Sequence, residues 1–324
     1  MKAVLCRAYG PPESLELAEI PTPEPGPGEV LVRVRAAALN FFDTLIIENR
    51  YQAKPDLPFS PAAEFAGEIA ALGEGVAGWS VGERVSGYMG WGAAREYVVT
   101  GTERLVRVPD ALTDEQAAGL AVTYGTTIHA LIDRAQIKPG ETLVVLGAAG
   151  GTGIAAIEIG KALGATVIAC ASSQDKLALA KERGADHLID YSTENLRERL
   201  KQITDGKGVD VLYDPVGGDL AEPALRSMGW GGRYLVIGFA AGEIPRIPLN
   251  LLLLKGCDIR GVFWGAFCKR EPERQAQQMG QLLEWAAAGV ISAHVDATFP
   301  LEETAKALRL IADRKARGKI VVKP

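Results

Sequence analysis

Residues 141–173, ETLVVLGAAGGTGIAAIEIGKALGATVIACASS, decide the fold. Residues 143–146 are a short, wholly apolar run with β-branched side chains, suited to a parallel strand covered on both faces. A glycine-rich turn follows at once. Ala148, Gly150 and Gly153 stand at the glycine positions of a dinucleotide fingerprint, in the form AAGGTG, where a small backbone turns tightly and approaches a pyrophosphate closely. The pattern predicts a helix over 154–163 with Gly164 at its carboxyl cap, and its amino end offers free N–H groups and a positive dipole to phosphate. A second strand over 166–171 completes a strand, turn, helix and strand. A glycine turn with no ligand is the plainer reading, but its seat between two buried strand patterns favours a nucleotide cradle formed around Gly150, Gly151, Thr152 and Gly153.

The end of the second strand selects the nucleotide. A site for NAD carries Asp or Glu there, about 20 residues past the glycines, to hold the ribose 2′-hydroxyl. This chain has Ser172 and Ser173, with Lys176 beyond them. Small hydroxyls leave room for a 2′-phosphate and a lysine neutralises it, so NADPH is expected over NADH. Asp175 is the contrary residue, and the plainer alternative is that these residues open a solvated helix.

Outward from this stretch, 324 residues suffice for two domains and a sizeable core. The 48% hydrophobic and 23% charged residues are ordinary for a globular protein, and a net charge of −5 argues against nucleic acid or a membrane surface as the main partner. No apolar run approaches 18 residues, and MKAVLCRAYG enters a strand without the apolar core of a secretory signal. Cys6, Cys170, Cys257 and Cys268 show no metal or redox spacing; Cys170 and Cys257 lie in apolar strand contexts and read as reduced core thiols, so a cytoplasmic location is expected. His129, His187 and His294 accompany no nucleophile motif of the G-x-S-x-G kind, which leaves hydrolase chemistry unsupported.

Residues 1 to about 120 give short strands punctuated by Gly and Pro, the style of a compact β-barrel, and turn helical from Thr113. The middle of the chain alternates strand and helix six times, ending on CDIRGVFWG, which predicts a doubly wound parallel sheet with its ligand crevice at the carboxyl ends of the strands. The residues to watch there are Ser172, Tyr191, Val216 with Gly217, Gly238 with Phe239, and Phe263 with Trp264. A helix over about 271–288 leads out, and the strand, helix and strand of the tail are expected to return to the first domain. The expected division is therefore a catalytic domain of residues 1–121 and 266–324, a nucleotide domain of 122–265, and a crevice between them.

The stretches VLVRVRAAALNFFDTLI, FSPAAEFAGEIAALGEGV, VGERV, AAREYVV, LAVTYGTTIHAL, VDVLYDPVGG and RGKIVV, together with the cradle, resemble the zinc-independent medium-chain dehydrogenase/reductases of the NADPH:quinone oxidoreductase, or zeta-crystallin-like, family. The resemblance runs the whole length. It implies an α/β fold with a GroES-like β-barrel catalytic domain and a Rossmann domain, and a homodimer that pairs through the CDIRGVFWG edge strand. Zinc-dependent relatives need a cysteine near Leu39 and a histidine in PAAEFAG; here stand Asn40 and Ala63, so no metal is expected. The resemblance implies Asn40, Tyr51 and Thr127 as catalytic residues at the nicotinamide end, although from chemistry alone Asn40 also reads as a turn residue and Tyr51 as a loop tyrosine. It implies 2′-phosphate on Ser172, Lys176 and Tyr191, and nicotinamide contacts from Gly238, Phe239, Phe263 and Trp264. Arg314 and Lys319 match positions that reach the cofactor, whereas DRKARGK alone reads as a solvated basic helix end.

The expected activity is hydride transfer from NADPH to a small-molecule quinone. A 2-enoyl-CoA or enone reductase uses the same site logic, because both acceptors are conjugated carbonyls. A non-catalytic, crystallin-like NADPH-binding protein is the alternative of another class.

Overall fold

Alternation in the amino-terminal third builds short antiparallel strands. The computed structural model describes residues 1–324. Strand β1 (Lys2–Leu5) pairs with β2 (Glu16–Glu19). Strand β3 (Glu29–Leu39) is the spine of the first unit: it buries Val30, Val32 and Val34 on one face and then every residue from 36 to 39. Helix α1 (Phe41–Ile47) follows directly. Strand β4 (Glu64–Leu72) runs along one edge of β3 and continues into β5 (Arg84–Tyr88), while β6 (Tyr97–Gly101) takes the first half of the other edge and β7 (Leu105–Arg107) pairs with β5. Thr113 then caps α2 (Asp114–Ala118), its hydroxyl accepting from Gln116 N at 3.2 Å while Gln116 Oε1 accepts from Thr113 N at 3.1 Å.

The helical stretch expected from Thr113 is broken at Gly119. Helix α3 (Ala121–Ile128) begins after it and widens into a π-helical segment, His129–Ala135. Strand β8 (Thr142–Leu146), α4 (Gly151–Ala162), β9 (Thr166–Ala171), α5 (Gln174–Glu182), β10 (His187–Asp190), α6 (Leu196–Ile203), β11 (Val209–Asp214), α7 (Ala221–Arg226) and β12 (Met228–Val236) alternate as expected. Helix α8 (Asn250–Lys255) precedes β13 (Asp258–Gly261). The six strands form one parallel sheet in the order β10-β9-β8-β11-β12-β13, the doubly wound order in which the chain reverses direction beside β8. Val144, Leu146, Ile168, Ile189 and Leu212 lie in its core with the helices packed over them. Helix α4 starts three residues before the expected 154, because its first turn needs no intrahelical N–H bonds and accepts glycine there. The strand expected through CDIRGVFWG stops at Gly261, and Trp264 opens α9 (Trp264–Arg270).

After α10 (Pro272–Ala287), strand β14 (Val295–Pro300), α11 (Thr304–Ala312) and β15 (Lys319–Lys323) complete the chain. Strand β15 pairs antiparallel with the end of β3 and parallel with β14, extending the sheet to seven strands over a core that includes Phe65, Ile69, Val85, Leu308 and Val322. One compact unit comprises Met1–Val122, Lys269–Gly289 and Ala293–Pro324; the other comprises Thr123–Cys268 and Val290–Ser292. The last three residues join the second unit through Glu158, which is 6% exposed: its Oε2 accepts from Ser292 N and from the Tyr124 hydroxyl, both at 2.8 Å, and its Oε1 accepts from Ser292 Oγ. No helix is long and apolar enough to cross a membrane.

Candidate active site

In the second unit, β8 ends and the chain turns through Gly147, whose φ of +60° is the left-handed conformation the turn requires. Because that residue precedes the fingerprint, Ala148 holds the first fingerprint position without strain, its N–H donating to Cys170 O at 3.1 Å. Gly150 is the N-cap of α4 and has no side chain to satisfy it, so the N–H groups of Gly151, Thr152 and Gly153 lack intrahelical partners. A β-carbon at Gly153 would lie 2.4 Å from Gly147 O; at Gly150 the same oxygen would be 3.4 Å away. Gly153 therefore serves close packing, and Gly150 keeps open the space where an anion meets free N–H groups and the positive helix end. These residues fit a pyrophosphate.

At the end of β9, Lys176 Nζ donates to Ser172 Oγ at 3.3 Å, and Ser173 caps α5 by accepting from Lys176 N at 3.5 Å. Tyr191 follows the end of the neighbouring β10 and lines an open cavity of about 680 Å³ with Asn195, Arg197, Asp219 and Arg246. Ser172 and Tyr191 thus follow the ends of adjacent strands, with the Lys176 ammonium, in the first turn of α5, facing the Ser172 hydroxyl. A 2′-phosphate fits such a corner.

Beyond β11, Asp214 shapes the loop. Its Oδ1 accepts from the N–H groups of Val216 and Gly217 at 2.7 and 2.8 Å, its Oδ2 accepts from the Tyr234 hydroxyl, and its carbonyl accepts from Gly238 N at 3.3 Å. Burial and the adjacent carboxylate push the Tyr234 hydroxyl far above its ordinary range, so it stays a donor. Phe239 packs against Gly217, where a β-carbon would meet its ring at 2.9 Å, and remains 37% exposed. Phe263 is exposed, whereas Trp264 is buried with its ring over Gly125. One helical turn on, Phe267 stacks on His129 with ring centroids 3.9 Å apart. Trp264, expected beside the nicotinamide, seats α9 on α3.

Thr127, expected among the catalytic groups, is fully buried. Its hydroxyl donates to Thr123 O at 2.8 Å and so accepts from the Tyr213 hydroxyl at 2.9 Å, which Thr152 in the first turn of α4 also reaches. The three hydroxyls tie α3 to the cradle.

The first unit gathers Asn40, Asp43, Glu64 and Lys319, all buried. Asn40 is the N-cap of α1, and its N–H donates to Asp43 Oδ2 at 2.7 Å, while Asp43 Oδ1 accepts from Ala62 N at 3.1 Å. Asn40 Nδ2 donates to Glu64 Oε1 at 3.0 Å, and Glu64 Oε2 accepts from Val122 N at 2.7 Å. Lys319 is only 2% exposed, a residue of β15 and not the end of a solvated helix. Its ammonium donates to Glu64 Oε1 at 2.5 Å, Asn40 Oδ1 at 2.7 Å and Leu39 O at 3.3 Å. All three protons are engaged inside this unit, so Lys319 supports Asn40 instead of presenting a free cation to a cofactor. Arg314 is exposed at the end of α11. Tyr51 is half-buried and stacks on Phe42 at 5.3 Å, and burial with the Asp43 charge raises its hydroxyl. Burial raises the Asp43 carboxyl itself to about 7, against the opposing pull of the Asn40 and Ala62 N–H groups and the Lys319 charge.

Sequence reasoning missed the parts played by Asp43, Tyr213 and Asp214. A signal existed for two of them: Asp43 stands three residues after Asn40 in capping-box register, and Asp214 opens DPVGG at a strand end. The structure brings no three His, Cys, Asp or Glu side chains close enough to hold a metal ion.

A doubly wound sheet with a dinucleotide cradle in one unit, and an antiparallel sheet holding a buried polar cluster in the other, define a dinucleotide-dependent oxidoreductase of two-domain type. The chain matches the alcohol dehydrogenase GroES-like domain over residues 26–110 and the zinc-binding dehydrogenase family over residues 151–286. It is 38% identical over 325 residues to a quinone oxidoreductase-like protein 2 homolog of Nematostella vectensis, covering 99% of this chain and 88% of that one. It is 37% identical to a quinone oxidoreductase of Pseudomonas aeruginosa, covering 100% and 99%. The solved structure of Escherichia coli quinone oxidoreductase complexed with NADPH superposes with a TM-score of 0.92 at 30% identity, covering 100% of both chains. The chain belongs to the quinone oxidoreductase family of medium-chain dehydrogenase/reductases.

Proposed function

We propose that this protein is an NADPH-dependent, zinc-independent oxidoreductase that reduces a quinone. The observation that carries the reading is the cradle, an uncapped helix end behind an open Gly150 with the Lys176 and Ser172 corner at the next strand end, in a chain whose relatives are named quinone oxidoreductases. Residues 122–265 act as the NADPH domain, and residues 1–121 with 266–324 as the catalytic domain. Pyrophosphate lies on Gly150, Gly151, Thr152 and Gly153, and the 2′-phosphate on Ser172, Lys176 and Tyr191. Gly238, Phe239 and Phe263 border the nicotinamide, and Thr127 with Trp264 shapes the wall behind it. When bound, NADPH supplies the hydride.

The protein's own contribution is positioning and donation. Asn40 has a second amide N–H beyond the one given to Glu64, and Tyr51 has a phenolic O–H; each serves an acceptor oxygen that gains charge. Water supplies the proton that the reduced quinone finally carries. The chain acts as a cytoplasmic homodimer, a reading supported by four free thiols, of which Cys6, Cys170 and Cys257 are buried, and by the open edge strand β13, whose Ile259 is exposed.

The test is NADPH oxidation followed by absorbance with 1,4-benzoquinone, 9,10-phenanthrenequinone, crotonyl-CoA, acryloyl-CoA and a simple enone, each repeated with NADH. Turnover with the quinones and preference for NADPH is the expected result. Turnover confined to the CoA thioesters transfers the assignment to an enoyl reductase, and binding with no turnover leaves a non-catalytic NADPH-binding protein.

A further inference from the structure

We propose that the buried Lys319–Glu64 pair is a clamp that locks the orientation of the Asn40 amide, making both charged residues positioning residues for the reaction. The proposal rests on the reading of Asn40 as donor to the acceptor oxygen. The two ends of a carboxamide have nearly the same shape, so packing alone does not decide which faces where. Charge does. Asn40 Oδ1 takes a hydrogen bond from the Lys319 ammonium at 2.7 Å, and Nδ2 gives one to Glu64 at 3.0 Å. A half-turn of the amide sets its carbonyl against the carboxylate and its NH2 against the ammonium, replacing two charge-assisted bonds by two repulsions. Nδ2 carries a second N–H beyond the one given to Glu64, so the clamp fixes the end of the amide that donates.

The clamp is itself held at every end. Glu64 Oε2 is fixed by Val122 N, and Lys319 Nζ also reaches Leu39 O. The lysine stem passes Gly119, where an added β-carbon would stand 3.1 Å from Lys319 Cγ. Residues 64 and 319 enter from the starts of β4 and β15, which flank the end of β3 on opposite edges, and Asn40 follows that end. Full burial of such a pair carries a desolvation cost that apolar residues of the same size avoid, so its presence calls for a role other than stability.

The experiment uses the full-length protein and a double-mutant cycle between Asn40→Ala and the neutral, near-isosteric pair Lys319→Met with Glu64→Gln, which removes both charges together and leaves neither unpaired. With the quinone that the parent reduces best, each is expected to lower kcat by roughly ten- to a hundredfold with KM changed less than about threefold, and the two effects are expected not to multiply. Multiplying effects overturn the clamp. A second readout does not depend on turnover: in protein labelled with 15N-asparagine, the Asn40 side-chain amide, assigned by its loss in Asn40→Ala, is expected to show two widely split, slowly exchanging proton resonances that collapse in the neutral pair. An exposed-type amide signal in the parent overturns the proposal. If the parent reduces no acceptor, the functional reading fails, and the resonance still decides whether the clamp holds the amide.

Discussion

Gly150 and Gly153 occupy one turn, and the space around each separates two roles that the fingerprint merges. A methyl at Gly153 meets backbone at 2.4 Å and cannot be relieved by a side-chain shift, so Gly153→Ala is expected to cost about 1–3 kcal/mol in chemical denaturation and to abolish NADPH binding. Gly150→Ala fits the fold, with stability within about 1 kcal/mol of the parent, while NADPH affinity falls roughly tenfold in titration because the methyl stands where phosphate approaches. Asp43 gives a pH signature. With its carboxyl raised to about 7 in the folded state against 3.8 ordinarily, the folded protein keeps a proton that the unfolded chain releases. Stability from this group is full below about pH 4, is lost as pH rises to about 7 and is level above. The stability difference between Asp43→Asn and the parent is therefore expected to move in the variant's favour across that window; a difference independent of pH contradicts it. Asn40 was legible as a candidate from the resemblance, but the burial of Lys319 was not, since its partners lie 255 and 279 positions away and RGK alone reads as solvated.

At the scale of elements, β8 and β9 were legible almost to the residue, because a buried parallel strand is a continuous apolar run with abrupt ends, whereas the edge strand β13 stops short of the expected VFWG. Strand β9 spans the expected 166–171. The helices after Thr113 were less so. Gly119 and the π-helical His129–Ala135 interrupt a pattern that on apolar spacing reads as one helix, and it is the seat of Phe267 on His129 and of Trp264 over Gly125 that occupies this face. The link between α3 and α4 runs through a single phenol. Tyr213→Phe removes the acceptor for Thr152 and the donor to Thr127, and is expected to lower stability by about 1–2 kcal/mol with the fold retained by circular dichroism. Burial also pushes the Tyr213 hydroxyl far up, so the link does not titrate at working pH.

For the whole molecule, the return of β14 and β15 to the first sheet was legible from their short-strand style. The detour of residues 290–292 was not, since three residues carry no periodicity. Assembly is testable on the open edge: if two copies pair along β13, Ile259→Lys is expected to shift elution in gel filtration from dimer to monomer with circular dichroism unchanged, and a parent that elutes as a monomer removes the dimer. The short detour has a practical corollary. The polypeptide passes between the two units at 122/123, 268/269, 289/290 and 292/293, so neither corresponds to one uninterrupted length of coding sequence. A recombinant fragment cut at residues 123 and 268 keeps Tyr124 but lacks both groups of Ser292 that satisfy Glu158, leaving a buried carboxylate two donors short. Chimeras that exchange the nucleotide-binding half between relatives therefore need to carry this tripeptide with it, or replace Glu158 with a neutral side chain.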